Sequence, residues 1–145
     1  MASLYFRKGY HMLKRTISYT DYFGRERKED FYFNLTKSEL IEMEISKEEG
    51  FEEYLTNIIN SKKGSVIMET FKKILFASYG EKSEDGRRFI KSPELSKAFS
   101  ETEAYNILFQ ELVLDADKAV EFVNGILPTD ISEGIENVEN NRTGE

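Results

Sequence analysis

Between Ser92 and Pro128 the chain reads SPELSKAFSETEAYNILFQELVLDADKAVEFVNGILP, an acidic run whose apolar positions recur three and four apart. A stripe with that period must be buried against a neighbouring element, so this stretch commits the chain to packed helices. Ser92-Pro93-Glu94 places proline where an early helical residue is tolerated, because its missing N–H has no intrahelical partner there. In the SETE motif, Ser100 is expected to cap a second helix, with Glu103 three positions on. Ala104, Tyr105, Leu108, Phe109 and Leu112 then share one face. Asp115 is expected to cap a last helix with Ala119, Val120, Val123 and Ile126 inside. Gly125 weakens its final turn, and Pro128 opposes continuation.

The N-terminal third follows a different period. Leu13 to Tyr19 and Arg27 to Leu35 alternate as strands around a turn-rich DYFGRE segment, with Ile17, Tyr19, Phe31 and Phe33 on the core side. Gly24 supplies the positive φ that such a turn demands. Thr36-Lys37-Ser38-Glu39 carries a capping box, flanked by Leu35 and Leu40 at hydrophobic-staple spacing, and a short helix is expected through Glu44. Phe51, Tyr54, Leu55, Ile58 and Ile59 form another helical stripe. Gly64 interrupts it, and Ile67, Phe71, Ile74 and Leu75 form the next. YGEKSEDGRRFIKS, from Tyr79 to Ser92, reads as a polar connection in which Arg88-Phe89-Ile90 make a short strand. The expected architecture is α+β and predominantly helical, an N-terminal antiparallel β-hairpin packed with a compact multi-helix domain.

Composition narrows what such a domain can do. With 20 Lys and Arg against 27 Asp and Glu, the formal charge is -7, which opposes general attraction to nucleic acid or to acidic substrates. Cysteine is absent, excluding disulfides, thiol nucleophiles and cysteine metal sites. No apolar run reaches bilayer-spanning length. Residues 12–128 are read as one domain and 129–145 as a flexible acidic tail. Residues 1–11 are read either as a vector-derived stretch before a natural start at Met12 or as a native, poorly ordered leader. The one histidine, His11, lies in that stretch, so no Ser-His-acid triad assembles in the domain. No P-loop or dinucleotide-binding glycine fingerprint occurs.

Among the carboxylates, Asp115 and Asp117 suit a helix start better than a metal cage, since unpaired backbone amides there attract negative charge. Glu81, Glu84 and Asp85 lack the ligand order of an EF-hand loop and read as a solvated turn. No catalytic, cofactor-binding or metal residue is assigned. The stronger binding reading is Arg87-Arg88 beside Phe89, where guanidinium groups engage carboxylates while apolar surface covers a partner. Phe76 departs from its helix stripe and joins the set, together with Tyr105 and Phe109. Phe76, Arg87, Arg88, Phe89, Tyr105 and Phe109 are the candidate protein interface.

YGEKSEDGRRFIKS, FSETEAY and DADKAVEFVNGILP, with TISYTDYFGRERKEDFYFNLTKSELIEME before them, resemble the tail assembly chaperones of long-tailed bacteriophages. The resemblance spans most of Met12 to Pro128. It implies a noncatalytic protein that needs no cofactor and binds the phage tape-measure protein in the host cytoplasm. It also implies release as tail-tube protein assembles, and absence from the mature particle. A longer frameshift-derived chaperone is an implied partner, as is self-association into an oligomer or an array on the client. Neither membrane nor nucleic acid is expected as a partner. The alternative is a structural tail adaptor or completion protein retained in the virion.

Overall fold

A computed structural model of the chain describes residues 12–42, 57, 60, 61 and 63–128. The elements run β1 (Leu13–Thr20), β2 (Glu26–Phe33), α1 (Lys37–Glu42), α2 (Gly64–Ser78), β3 (Tyr79–Lys82), β4 (Phe89–Ile90), α3 (Pro93–Ser100), α4 (Glu103–Leu114) and α5 (Ala116–Ile126). This is the expected mixed α+β fold, with an N-terminal antiparallel hairpin and a multi-helix region. The stripe from Phe51 to Ile59, the end of the first helix at Glu44, the leader and the acidic tail lie outside the described residues.

The strands form one antiparallel sheet in the order β1-β2-β3-β4. Leu13 faces Phe33 and Thr20 faces Glu26 across the first hairpin. Alternation then turns Ile17 and Phe33 into the core while Tyr19 and Phe31 pack at its margin. Phe33 pairs with Tyr79 on the next strand. The stretch read as a polar connection is therefore a second hairpin, and it extends the sheet. Tyr79 makes this work: it is buried, and its ring stacks on Phe99 at 4.3 Å.

The helices close over one face. Phe71, Ile74 and Leu75 from α2, Leu108 and Leu112 from α4, and Phe122 and Val123 from α5 meet the sheet in one cluster. Each fully buried aliphatic or aromatic side chain contributes about 1.5–3 kcal/mol, so this cluster carries most of the favourable energy. Phe122 belongs inside, whereas the expected stripe had Val120 there; Val120 is only half-buried. Gly125 has a packing reason, because a Cβ there would meet a Leu13 methyl at 2.9 Å.

Caps fix the helix directions. Thr36 and Glu39 form the expected reciprocal box, Thr36 N donating to Glu39 Oε1 at 2.9 Å and Glu39 N to Thr36 Oγ1 at 3.1 Å. Asp115 Oδ1 accepts from the amides of Asp117 and Lys118, as a helix cap. The start of α4 differs from expectation: Thr102, not Ser100, is the cap, accepting from Tyr105 N at 3.2 Å. Ser100 still belongs to α3, where its hydroxyl donates to Lys97 O. Phe99 is the cause, since burying its ring carries α3 one residue further before the chain can turn.

Candidate protein interface

The second hairpin is held by its own turn. Asp85 Oδ1 accepts from Arg87 N at 3.0 Å and from Ser83 Oγ at 2.7 Å, and Ser83 Oγ also accepts from Arg88 N. Gly86 sits at φ 73°, a region costly for a side chain. The Arg87 amide, then the Ser83 hydroxyl, hold the Asp85 carboxyl below its ordinary range. Arg87 and Arg88 are thereby projected from an ordered turn, both exposed and with no ion pair among the described residues.

Phe89 turns the other way. Its ring lies over Gly80, so close that a Cβ on Gly80 would come within 2.8 Å of Phe89 Cε2 and of Ile90 O. Next to it, Lys91 Nζ donates to Glu39 Oε1 and Oε2 at 2.8 and 2.7 Å and to Asn34 O at 2.5 Å. Burial pulls the Lys91 ammonium below its ordinary range, and Glu39 pulls it back the other way. Because Asn34 N donates to Ser78 O and Leu35 N to Ile126 O, this lysine clasps a junction where β2, α1, α2 and α5 meet.

Two open grooves share that clasp as a wall. One, about 680 Å³, has Phe76, Ala77 and Pro93 as apolar lining and Lys72, Lys73 and Lys91 among its charges, with Glu39 and Glu42 opposed. The other, about 450 Å³, runs past Asn34, Thr36, Arg88, Phe89 and Ile90. Ser96 Oγ donates to Phe76 O and fixes the backbone behind the first groove. The clasp thus brings Phe76, Arg88 and Phe89 to one region, with Arg87 at its tip.

A family model for phage tail assembly chaperones matches residues 12–145. The chain belongs to that family. No curated protein and no solved structure matches it.

Within this tail assembly chaperone the six expected interface residues divide by burial. Tyr105, 8% exposed, is a core residue, with Phe99 edge-on at 5.5 Å and Phe109 stacked at 5.7 Å. Burial also raises its phenol above the ordinary range. Phe109 is half-buried, and Phe76 stands edge-on to Tyr105 at 6.3 Å with one side open to the groove. Helical spacing alone put Tyr105 and Phe109 in one stripe; it did not say which side of the ring faced water.

The most exposed aromatic pair among the described residues was not one of those candidates. Tyr22 and Phe23, 76% and 84% exposed, occupy the tip of the first hairpin. Asp21 Oδ1 accepts from the amides of Phe23 and Arg25, while Arg27 Nε donates to Asp21 Oδ2 at 2.6 Å. Arg25 lies over the Phe23 ring at 5.1 Å. The available signal was two adjacent aromatics between Asp21 and Gly24, in a turn too tight to return them to the core. No described helix of the chaperone is long and apolar enough to cross a membrane.

Proposed function

We propose that the chain binds the tape-measure protein through the Phe76–Phe89 region and holds it during tail assembly. The single observation behind this reading is the pair of grooves divided by the Lys91–Glu39 clasp, with apolar lining and a locally cationic margin. On a chain of net charge -7, that margin is a local reversal of sign. Its complement is a helical client segment with an apolar ridge flanked by Asp and Glu. Apolar contact supplies affinity, while the arginines steer and orient the client.

In this reading the chaperone acts in the host cytoplasm as a noncatalytic holding factor. It yields the client as tail-tube protein assembles, and it is absent from finished particles. Several copies on one long client give avidity from individually moderate contacts, so self-association or an array accompanies binding. A longer frameshift-derived form would be a further partner.

Coexpression with tape-measure protein tests this directly. The expected result is a soluble complex and less client aggregation. Reversing both tip charges, Arg87→Glu with Arg88→Glu, should weaken the complex by about tenfold or more without lowering the chaperone's own melting temperature. Failure to bind any tape-measure fragment, together with incorporation into mature particles, would reject the proposal in favour of a structural adaptor.

A further inference from the structure

Strand β1 is the outer strand of the sheet, and among the described residues it pairs only with β2. Its second edge therefore offers a row of backbone donors and acceptors, a template that folded proteins either blunt or use. A groove runs along this edge. Consecutive residues Arg15, Thr16, Ile17 and Ser18 all line it, as expected of a strand edge, since successive side chains point to opposite faces. Its opposite wall is α4, where Ile107 and Leu114, 41% and 81% exposed, lie seven residues apart on one helical face.

We propose that this edge is the self-association surface of the chain, β1 pairing antiparallel with β1 of a second copy while the two α4 helices meet above it. Charge supports a second copy as the occupant. A two-fold interface places one patch against itself, so a patch of single sign repels its mate. Here the charged residues lining the groove are Arg15 and Lys118 against Glu111 and Asp115, a balanced set that accommodates its own image. Arg15 Nη2 is already drawn back to Glu111 Oε2 at 2.5 Å, with Lys118 Nζ 3.3 Å from the same carboxylate. The edge is therefore not guarded by a free inward cation.

Register narrows the geometry further. Keeping both cores on one side of a joined sheet requires a residue of β1 to face its own copy. Centring on Lys14 or Arg15 would oppose like charges, which is unfavourable. Centring on Thr16 sets Arg15 against Ile17 and Lys14 against Ser18. Centring on Ile17 sets Arg15 against Tyr19 and Lys14 against Thr20. Centring on Ser18 opposes no like charges either, but it and centres nearer the strand ends pair fewer residues of Leu13–Thr20, so the two-fold axis is expected at Thr16 or Ile17.

The inference rests on the self-association proposed above, and its test is independent of the client. Sedimentation velocity on the full chain should show a dimer, or a larger assembly built from it. Ile107→Lys with Leu114→Lys should weaken association by about tenfold or more and leave circular dichroism unchanged, since both side chains are exposed. The chain has no cysteine, so single cysteines report register cleanly. Directly opposed strand residues have Cα atoms about 4.5–5.5 Å apart, within disulfide reach. Thr16→Cys should cross-link to itself if the axis is at Thr16, or to Ser18→Cys in a mixed sample if it is at Ile17. A monomeric wild type, or an oligomer indifferent to the lysines and to both cysteines, would overturn the proposal. So would lysine variants that keep their oligomeric state but lose tape-measure binding, because the groove would then hold client. A tape-measure complex formed by a strictly monomeric chain would overturn this edge and leave the client reading standing.

Discussion

The two hairpins use the same device to display opposite chemistry. Each turn is folded around an aspartate that accepts backbone amides, and each has a glycine in the left-handed region, Gly24 at φ 81° and Gly86 at φ 73°. In the first, the exposed cations are engaged locally, Arg27 bonding Asp21 and Arg25 lying over Phe23, while the aromatics Tyr22 and Phe23 face water. In the second, the aromatic Phe89 folds back on Gly80 while Arg87 and Arg88 project. An Asp-and-Gly turn thus fixes a rigid tip without deciding what the tip presents. The neighbouring residues decide that, and here one tip presents aromatic rings beside engaged arginines and the other presents arginines without an ion pair among the described residues.

Both hairpins stand on Phe33, which is fully buried among the rings of Tyr79, Phe99 and Phe122, at 5.8, 5.7 and 5.2 Å. Phe33→Ala should therefore cost about 3–5 kcal/mol, measured by urea denaturation, and release both hairpins together. Hydrogen exchange that opened one hairpin while the other stayed protected would break the idea of a shared base.

Gly80→Ala should separate them. The added Cβ meets backbone at Ile90 O as well as the Phe89 ring, so something must move, at about 1–3 kcal/mol. Only the second hairpin should loosen, leaving amide protection around Asp21 intact. Adding Phe89→Ala should restore part of the loss, because the ring contact disappears while the carbonyl contact remains. Full restoration would mean the ring alone sets the requirement for glycine.

These sites also mark what sequence could and could not reveal. Local chemistry was legible: the Thr36–Glu39 box and the Asp115 cap each join residues two or three apart, and alternation placed Ile17 and Phe33 correctly. The Ser100 cap failed on equally good local grounds, because burial of Phe99 carried α3 through Ser100 as its last residue. Gly80 lies in the stretch read as a polar connection, whereas its need comes from a ring nine residues away across a strand pair. Lys91 carried no signal at all, since its partner Glu39 lies 52 residues upstream and had already been assigned to a cap. Within the candidate interface, the arginine tip was readable from composition; the clasp that positions it was not.

The smallest expected effect is an acid response that tells the two turns apart. Both aspartates are held below their ordinary value of 3.8, but by different leading causes: the Arg27 side chain for Asp21 and the Arg87 backbone amide for Asp85. A carboxyl depressed in the folded state stabilises its turn above its unfolded value and loses that contribution as pH falls through the folded one. Each tip should therefore stay ordered down to about pH 4 and loosen only below it, followed by carboxyl and amide NMR shifts. Each carboxyl braces only its own turn, so global unfolding should scarcely move. Salt supplies the discrimination. Screening weakens an exposed ion pair more than a short hydrogen bond to a fixed amide. High salt should then raise the Asp21 midpoint toward 3.8 while leaving Asp85 nearly unchanged, and equal shifts would show that the two tips are anchored alike after all.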